Sequence, residues 1–124
     1  MKREEAESLL IHEVVDGAFV DARLGKDAGP DRMARLLTAL KVLWLYYHTH
    51  IALPFTVASP ASLIVFYWPN AVQAIQKSGT NYRENLVAHE LPGLGIAAFE
   101  LLSGPDAAPV IPNGLRLDAN DEMS

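Results

Sequence analysis

The chain contains no cysteine. That one absence removes disulfide frameworks, thiol nucleophiles, iron–sulfur ligation and thiolate zinc sites. Positive charge is also scarce, with ten Lys and Arg against fifteen Asp and Glu and a formal net charge of −5 over 124 residues. Nucleic-acid binding depends on clustered cations that neutralise phosphates, so no nucleic-acid partner is expected. Charge of either sign makes up only 20% of the chain, while half of it is hydrophobic. That balance excludes intrinsic disorder for the chain as a whole. Repeats and low-complexity tracts are lacking as well, and the length suits one domain.

The charges that exist are unevenly placed. Between Lys41 and Lys77 there is no Asp, Glu, Lys or Arg, a gap of 35 residues. Asp106, Asp118, Asp121 and Glu122 face only Arg116 near the C-terminus, so −3 of the −5 belongs to that segment. The domain reading follows: one helical domain over 1–104 and an extended or flexible acidic tail over 105–124.

A long neutral run raises the question of a membrane. Residues 42–68 are apolar with aromatic clusters, but His48, Thr49 and His50 fall mid-run and Pro54 and Pro60 cut it into pieces. A spanning helix needs about 20 predominantly apolar residues, so buried core helices are the better fit. Met1-Lys2-Arg3 leads into Glu4, Glu5 and Glu7 rather than an apolar stretch, which is not the pattern of a signal peptide. A cytoplasmic location is the expectation.

Prolines and glycines divide the sequence into helical segments. Glu4–Leu24 reads as a first helix, with Gly25 as the residue that ends it. Pro30 suits the first turn of a second helix, whose apolar period runs towards Ala52 before Pro54 stops it. Phe55–Ser59 reads as a loop, with Ser59 and Pro60 starting a third helix that Pro69 kinks before Gly79 ends it. Asn81 and Glu84 have the spacing of a capping box for a fourth helix over Tyr82–Leu102, bent or interrupted at Pro92-Gly93. The fold class expected is all-α, a small bundle of four or five helices with proline kinks. The alternative is α+β, with Leu63–Trp68 as a buried strand because it is rich in β-branched and aromatic residues.

Candidate chemistry is thin. On a helix His48 and His50 point about 200° apart and cannot share a metal. His12 and Asp16 are one turn apart and would act as an acid–base pair only inside a cleft. The segment Leu86–Gly93 resembles the zincin metalloprotease helix, in which H-E-x-x-H presents two zinc-binding histidines around a glutamate base. His89 and Glu90 match, but the second histidine position is Gly93 and Pro92 disturbs the helix. No Glu-x-x-His occurs for a di-iron bundle, and no nucleophile elbow, P-loop or dinucleotide fingerprint is present. No metal and no cofactor are expected. Arg32, Arg35 and Lys41 form a basic helix face of the ordinary solvated kind.

Aromatic residues supply the remaining signal. Trp44, Tyr46, Tyr47, Phe66, Tyr67 and Trp68 are six of the ten in the chain. Adjacent aromatics on one helix point in different directions, so some must face away from a single small core. Exposed aromatics beside uncharged surface mark protein interfaces or apolar pockets. The leading expectation is a non-catalytic helical module for protein–protein interaction or self-association, working through residues 42–76. Its candidate site comprises Trp44, Tyr46, Tyr47, His48, His50, Phe66, Tyr67 and Trp68. The alternative is a pocket protein or enzyme that holds a small apolar molecule, with His48 or His89 as the polar group.

Overall fold

A computed structural model describes residues 1–50, 52–79 and 82–103, and every regular element among them is helical. The first helix, α1 (Arg3–Asp16), has Glu4 and Glu5 in its first turn, where the exposed N–H groups favour negative charge. It buries Ala6, Leu10, Glu13 and Val14. The chain then leaves the helix at Gly17 (φ −136°, ψ −133°) and resumes as α2 (Ala18–Arg23). The single helix expected over Glu4–Leu24 is therefore two. A β carbon at Gly17 would lie 2.6 Å from Glu13 Oε1 and 2.8 Å from Glu13 Cα, so the break needs glycine. The new direction seats Ala18, Phe19 and Ala22 in the core.

Gly25, with φ +87°, ends α2 as the sequence implies, and its N–H donates to the Ala22 carbonyl at 3.0 Å. Pro30 opens α3 (Pro30–Tyr47), which buries Met33, Leu36, Ala39, Leu40, Leu43 and Tyr47. This helix stops at Tyr47, short of the expected end near Ala52. The His48 ring explains the early stop: its Nδ1 lies 2.8 Å from the Leu45 carbonyl and 3.1 Å from that of Trp44. A ring N–H there occupies the Leu45 carbonyl that the next backbone N–H of a longer helix would take.

Helix α4 (Phe55–Lys77) contains both Pro60 and Pro69. The loop expected over Phe55–Ser59 is its first turn, in which the N–H groups of Val57 and Ala58 donate to the Pro54 carbonyl. The strand alternative at 63–68 fails as well, because those residues lie mid-helix. Val57, Pro60, Ala61, Ile64, Ala71 and Ile75 are buried along one helical stripe. Burial of that stripe outweighs the weak β preference of the segment and the hydrogen bonds lost at two prolines.

The last helix starts at Glu84 rather than Tyr82. Asn81, the expected cap, lies outside the described residues, as does the tail over 105–124. The interruption expected at Pro92-Gly93 lies earlier, as a π-helical turn over Leu86–Glu90 in which the Leu91 N–H donates to the Leu86 carbonyl five residues back. Helix α5 (Leu91–Ser103) follows directly, with Pro92 in its first turn, where the missing N–H removes one backbone bond from a helix that continues out of the π turn.

Around the core the helices lie in the ring order α1, α3, α5, α4, each packing on its neighbours. Helices α3 and α4, consecutive among the long ones, are diagonal, with no close approach of their backbones, while α2 lies chiefly against α4 and α1. The result is an all-α bundle of four long helices, one of them preceded by the π turn.

Candidate interaction surface

The eight candidate residues divide between the diagonal helices α3 and α4. Trp44, Tyr46, Tyr47, His48 and His50 gather at the C-terminal end of α3. Trp44 stacks on His48 at 4.7 Å, and Tyr46 stacks on His50 at 5.1 Å. Tyr47 meets Tyr46 and His50 edge-on. Phe66, Tyr67 and Trp68 sit in the middle of α4 and diverge, as adjacent residues on a helix must. Tyr67 carries the Arg23 guanidinium over its ring at 3.8 Å, which ties α4 to α2. Trp68 lies against Gly95 of α5. Phe66 points outward and is 77% exposed.

Within the α3 cluster the two tyrosine hydroxyls hold α1 and α3 antiparallel. The buried Tyr47 hydroxyl donates to Glu7 Oε1 at 2.6 Å. Burial, reinforced by the nearby Glu7 carboxylate, pushes the Tyr47 phenol up to about 12. Arg3 donates to the Tyr46 hydroxyl at 2.8 Å and lies 4.6 Å from the centre of its ring. These residues do structural work first, and Tyr46 and His50 remain exposed at the rim.

A small pocket of about 230 Å³ opens beside this cluster, lined by Tyr47, His50, Ala52, Leu53, Ala58, Leu101 and Leu102. A second, more polar groove of about 540 Å³ runs between α1 and α3 past Glu5, Ser8, Leu9, His12, Glu13, Arg32 and Arg35. Arg32 is committed there to Glu13 through bonds of 2.9 and 3.1 Å. Burial raises the Glu13 carboxyl, but the Arg32 hydrogen bonds and charge outweigh it and hold the group below its ordinary value. His12 lies 3.7 Å from this same carboxylate.

The zincin-like segment serves a different end. Glu90 accepts hydrogen bonds from Arg83 at 2.6 and 2.8 Å and from Asn85 at 2.7 Å. Arg83 also donates to both oxygens of Asp27, at 2.8 and 3.0 Å. Those bonds from Arg83 hold the Asp27 and Glu90 carboxyls below their ordinary range. The arrangement clamps the turn before α3 to the π turn before α5. His89 itself is exposed. Among the described residues no three His, Asp or Glu side chains converge as a metal site would require.

What sequence reasoning missed lies on α4 and α5. Phe55 is 81% exposed and Phe99 57% exposed, and neither stands in an aromatic cluster. Phe55 lies eleven residues before Phe66, three turns of helix, so the two share one outward stripe with Ser59 and Ser62 between them. From Phe55 to Gln76 helix α4 has no charged residue, and the only one in α5 is the buried Glu100. The outer side of the α4–α5 pair therefore exposes aromatic rings without charge. The 11-residue spacing of Phe55 and Phe66 was the signal available in the sequence, and the loop expected at 55–59 hid it.

Membrane insertion gains no ground at 42–68, because the turn after Tyr47 and the start of α4 divide that run. Among the described residues the one segment long and apolar enough to cross a membrane is Leu86–Ser103, with mean hydropathy 1.2 and 44% of it buried in the bundle. No family model matches this chain, and no curated protein or solved structure matches it.

Proposed function

We propose that the chain is a non-catalytic helical module that works by binding protein, through the uncharged outer side of α4 and α5. The observation that carries this reading is the pair Phe55 and Phe66, 81% and 77% exposed on one stripe of a helix with no charge before Lys77. Leaving two phenylalanines in water forgoes roughly 1.5–3 kcal/mol each relative to full burial. Uncharged aromatic surface of this kind is enriched at the centres of protein interfaces.

Compared with the expectation for residues 42–76, the surface moves towards α4 and α5, and Tyr47, Tyr67 and Trp68 become supports of the fold. Light scattering over a range of concentrations and binding of an apolar dye test the proposal. Self-association, or dye binding that Phe66→Ser removes, supports it. A monodisperse monomer that binds no dye overturns it.

The small pocket beside Tyr47 and His50 favours a second reading, an apolar ligand held near a histidine. That histidine would be His50, since His48 caps α3 and His89 is exposed away from the pocket. At about 230 Å³ the pocket falls below the usual range of ligand sites, roughly 300–1,000 Å³, so this reading ranks second. Thermal shifts with a panel of small apolar compounds, lost on His50→Ala, would raise it above the first.

A further inference from the structure

The exposed stripe of α4 reads nearly the same in both directions. Around the Pro60–Ala61 bond, Phe55 mirrors Phe66, Thr56 mirrors Val65, Val57 mirrors Ile64, and Ser59 mirrors Ser62. Val57 and Ile64 face the core, whereas Phe55, Ser59, Ser62 and Phe66 form the outward stripe. A two-fold axis brings residue i of one copy against residue j of the other, and j against i. A stripe with mirror symmetry along a helix is therefore complementary to its own antiparallel copy.

We infer that α4 is the core of a symmetric homodimer, in which two copies cross antiparallel with the two-fold axis beside Pro60–Ala61. This rests on the interaction-module reading and names its partner, a second copy of this chain. Phe55 of each copy then packs on Phe66 of the other, giving two aromatic pairs about 16 Å apart along the helix. The small residues Ser59 and Ser62 meet at the crossing point, where short side chains let two helices approach closely.

Three observations favour a second copy as the occupant. The chain carries −5, yet no charge lies on α4 before Lys77, so like charges do not meet at the axis. The Ser62 hydroxyl already donates to the Ala58 carbonyl at 2.8 Å, so it can be buried without losing a partner. Phe55, Phe66 and Phe99 are 81%, 77% and 57% exposed. At about 200 Å² per ring residue Phe55 and Phe66 alone offer roughly 300 Å² per copy, somewhat over a third of what a standard interface buries on each partner. The flanking Thr56, Leu63, Pro69, Gln73 and Ile96 are on hand for the rest.

The absence of cysteine makes the test clean. Ser59→Cys and Ser62→Cys are prepared as separate single variants and oxidised alone and as an equal mixture. Helix axes 8–10 Å apart leave facing Cα atoms roughly 4–5 Å from each other, within reach of a disulfide. The expected result is a wild-type dimer by light scattering, with mixed 59–62 disulfides forming at least about tenfold faster than either homodisulfide. Phe66→Asp, at an exposed position, keeps its helical circular dichroism and weakens the dimer by about 100-fold or more, because it strikes both aromatic pairs.

A dimer that survives Phe66→Asp, or that crosslinks 59 to 59 fastest, overturns the α4 pairing and leaves the interaction-module reading intact. A monomer at every concentration overturns the pairing, and the wider reading then falls too if the monomer binds no apolar dye. A monomer that partitions onto phosphatidylcholine vesicles overturns both in favour of a lipid surface.

Discussion

The indole of Trp68 on α4 lies directly against Gly95 on α5. A β carbon at Gly95 would fall 2.5 Å from the indole Nε1 and 2.8 Å from Cγ, near the root of a side chain that cannot swing aside. Gly95→Ala would gain about 1 kcal/mol of helix propensity, but overpacking here costs more. The net expectation is destabilisation by roughly 1–3 kcal/mol. Urea denaturation measures it, and an unchanged or raised midpoint would contradict the packing described.

Arg83 joins two segments far apart in sequence, and its removal should be felt at both. Arg83→Met leaves Asp27 and Glu90 half-buried without their cation, at a cost of roughly 1–3 kcal/mol near neutrality after allowing for solvent access. Both carboxyls have lowered pKa values in the folded protein. The stability they contribute is therefore fully present above their unfolded values, about 4, and is lost as pH falls through the folded ones. The gap between wild type and variant should narrow below about pH 4. An equal gap at acidic and neutral pH would refute the assignment.

Tyr47 offers a pH signature at the other extreme. With its phenol pushed up to about 12, the folded state favours the neutral form. That contribution is complete below the unfolded value of about 10 and is lost as pH rises towards the folded one. The phenolate absorbance of Tyr47, identified by difference against Tyr47→Phe, should appear near pH 12. Loss of the bond to Glu7 should cost the variant about 1 kcal/mol.

Phe66 should separate binding from folding. It is 77% exposed, so Phe66→Ser should change stability by no more than about 0.5 kcal/mol. The same change should reduce apolar-dye binding and self-association. A large drop in thermal stability would instead place Phe66 in the core of the monomer.

Much of the helical punctuation was legible because it depends on local backbone chemistry. Gly25 and Gly79 end helices at positive φ, and Pro30 opens α3 where its missing N–H is harmless. Three boundaries were not legible, because each turned on side-chain placement or burial rather than on backbone preference alone. The break at Gly17 depends on Glu13 and Arg32 crowding a position where only glycine fits, and the end of α3 on the His48 ring turning back onto its own helix. The start of α4 depends on burial of Val57 and Pro60, which holds a helix through a proline that local rules would place at its beginning. For the site, the reading that neighbouring aromatics must diverge was correct in direction. Which of them faced outward was a matter of packing, and Phe55 and Phe99 were overlooked because isolated aromatics carry no cluster signal.

The sequence by itself determined that this would be a helical protein without thiol chemistry, with its charge withdrawn from a long central stretch. Composition and periodicity are properties of the chain alone, and they suffice for that. Only the tertiary structure decided that α3 and α4 lie on opposite sides of the ring, so that the two aromatic clusters never meet. Burial is shared among helices, and until the ring order is known no rule of spacing can say which face of α4 is covered and which is left to water.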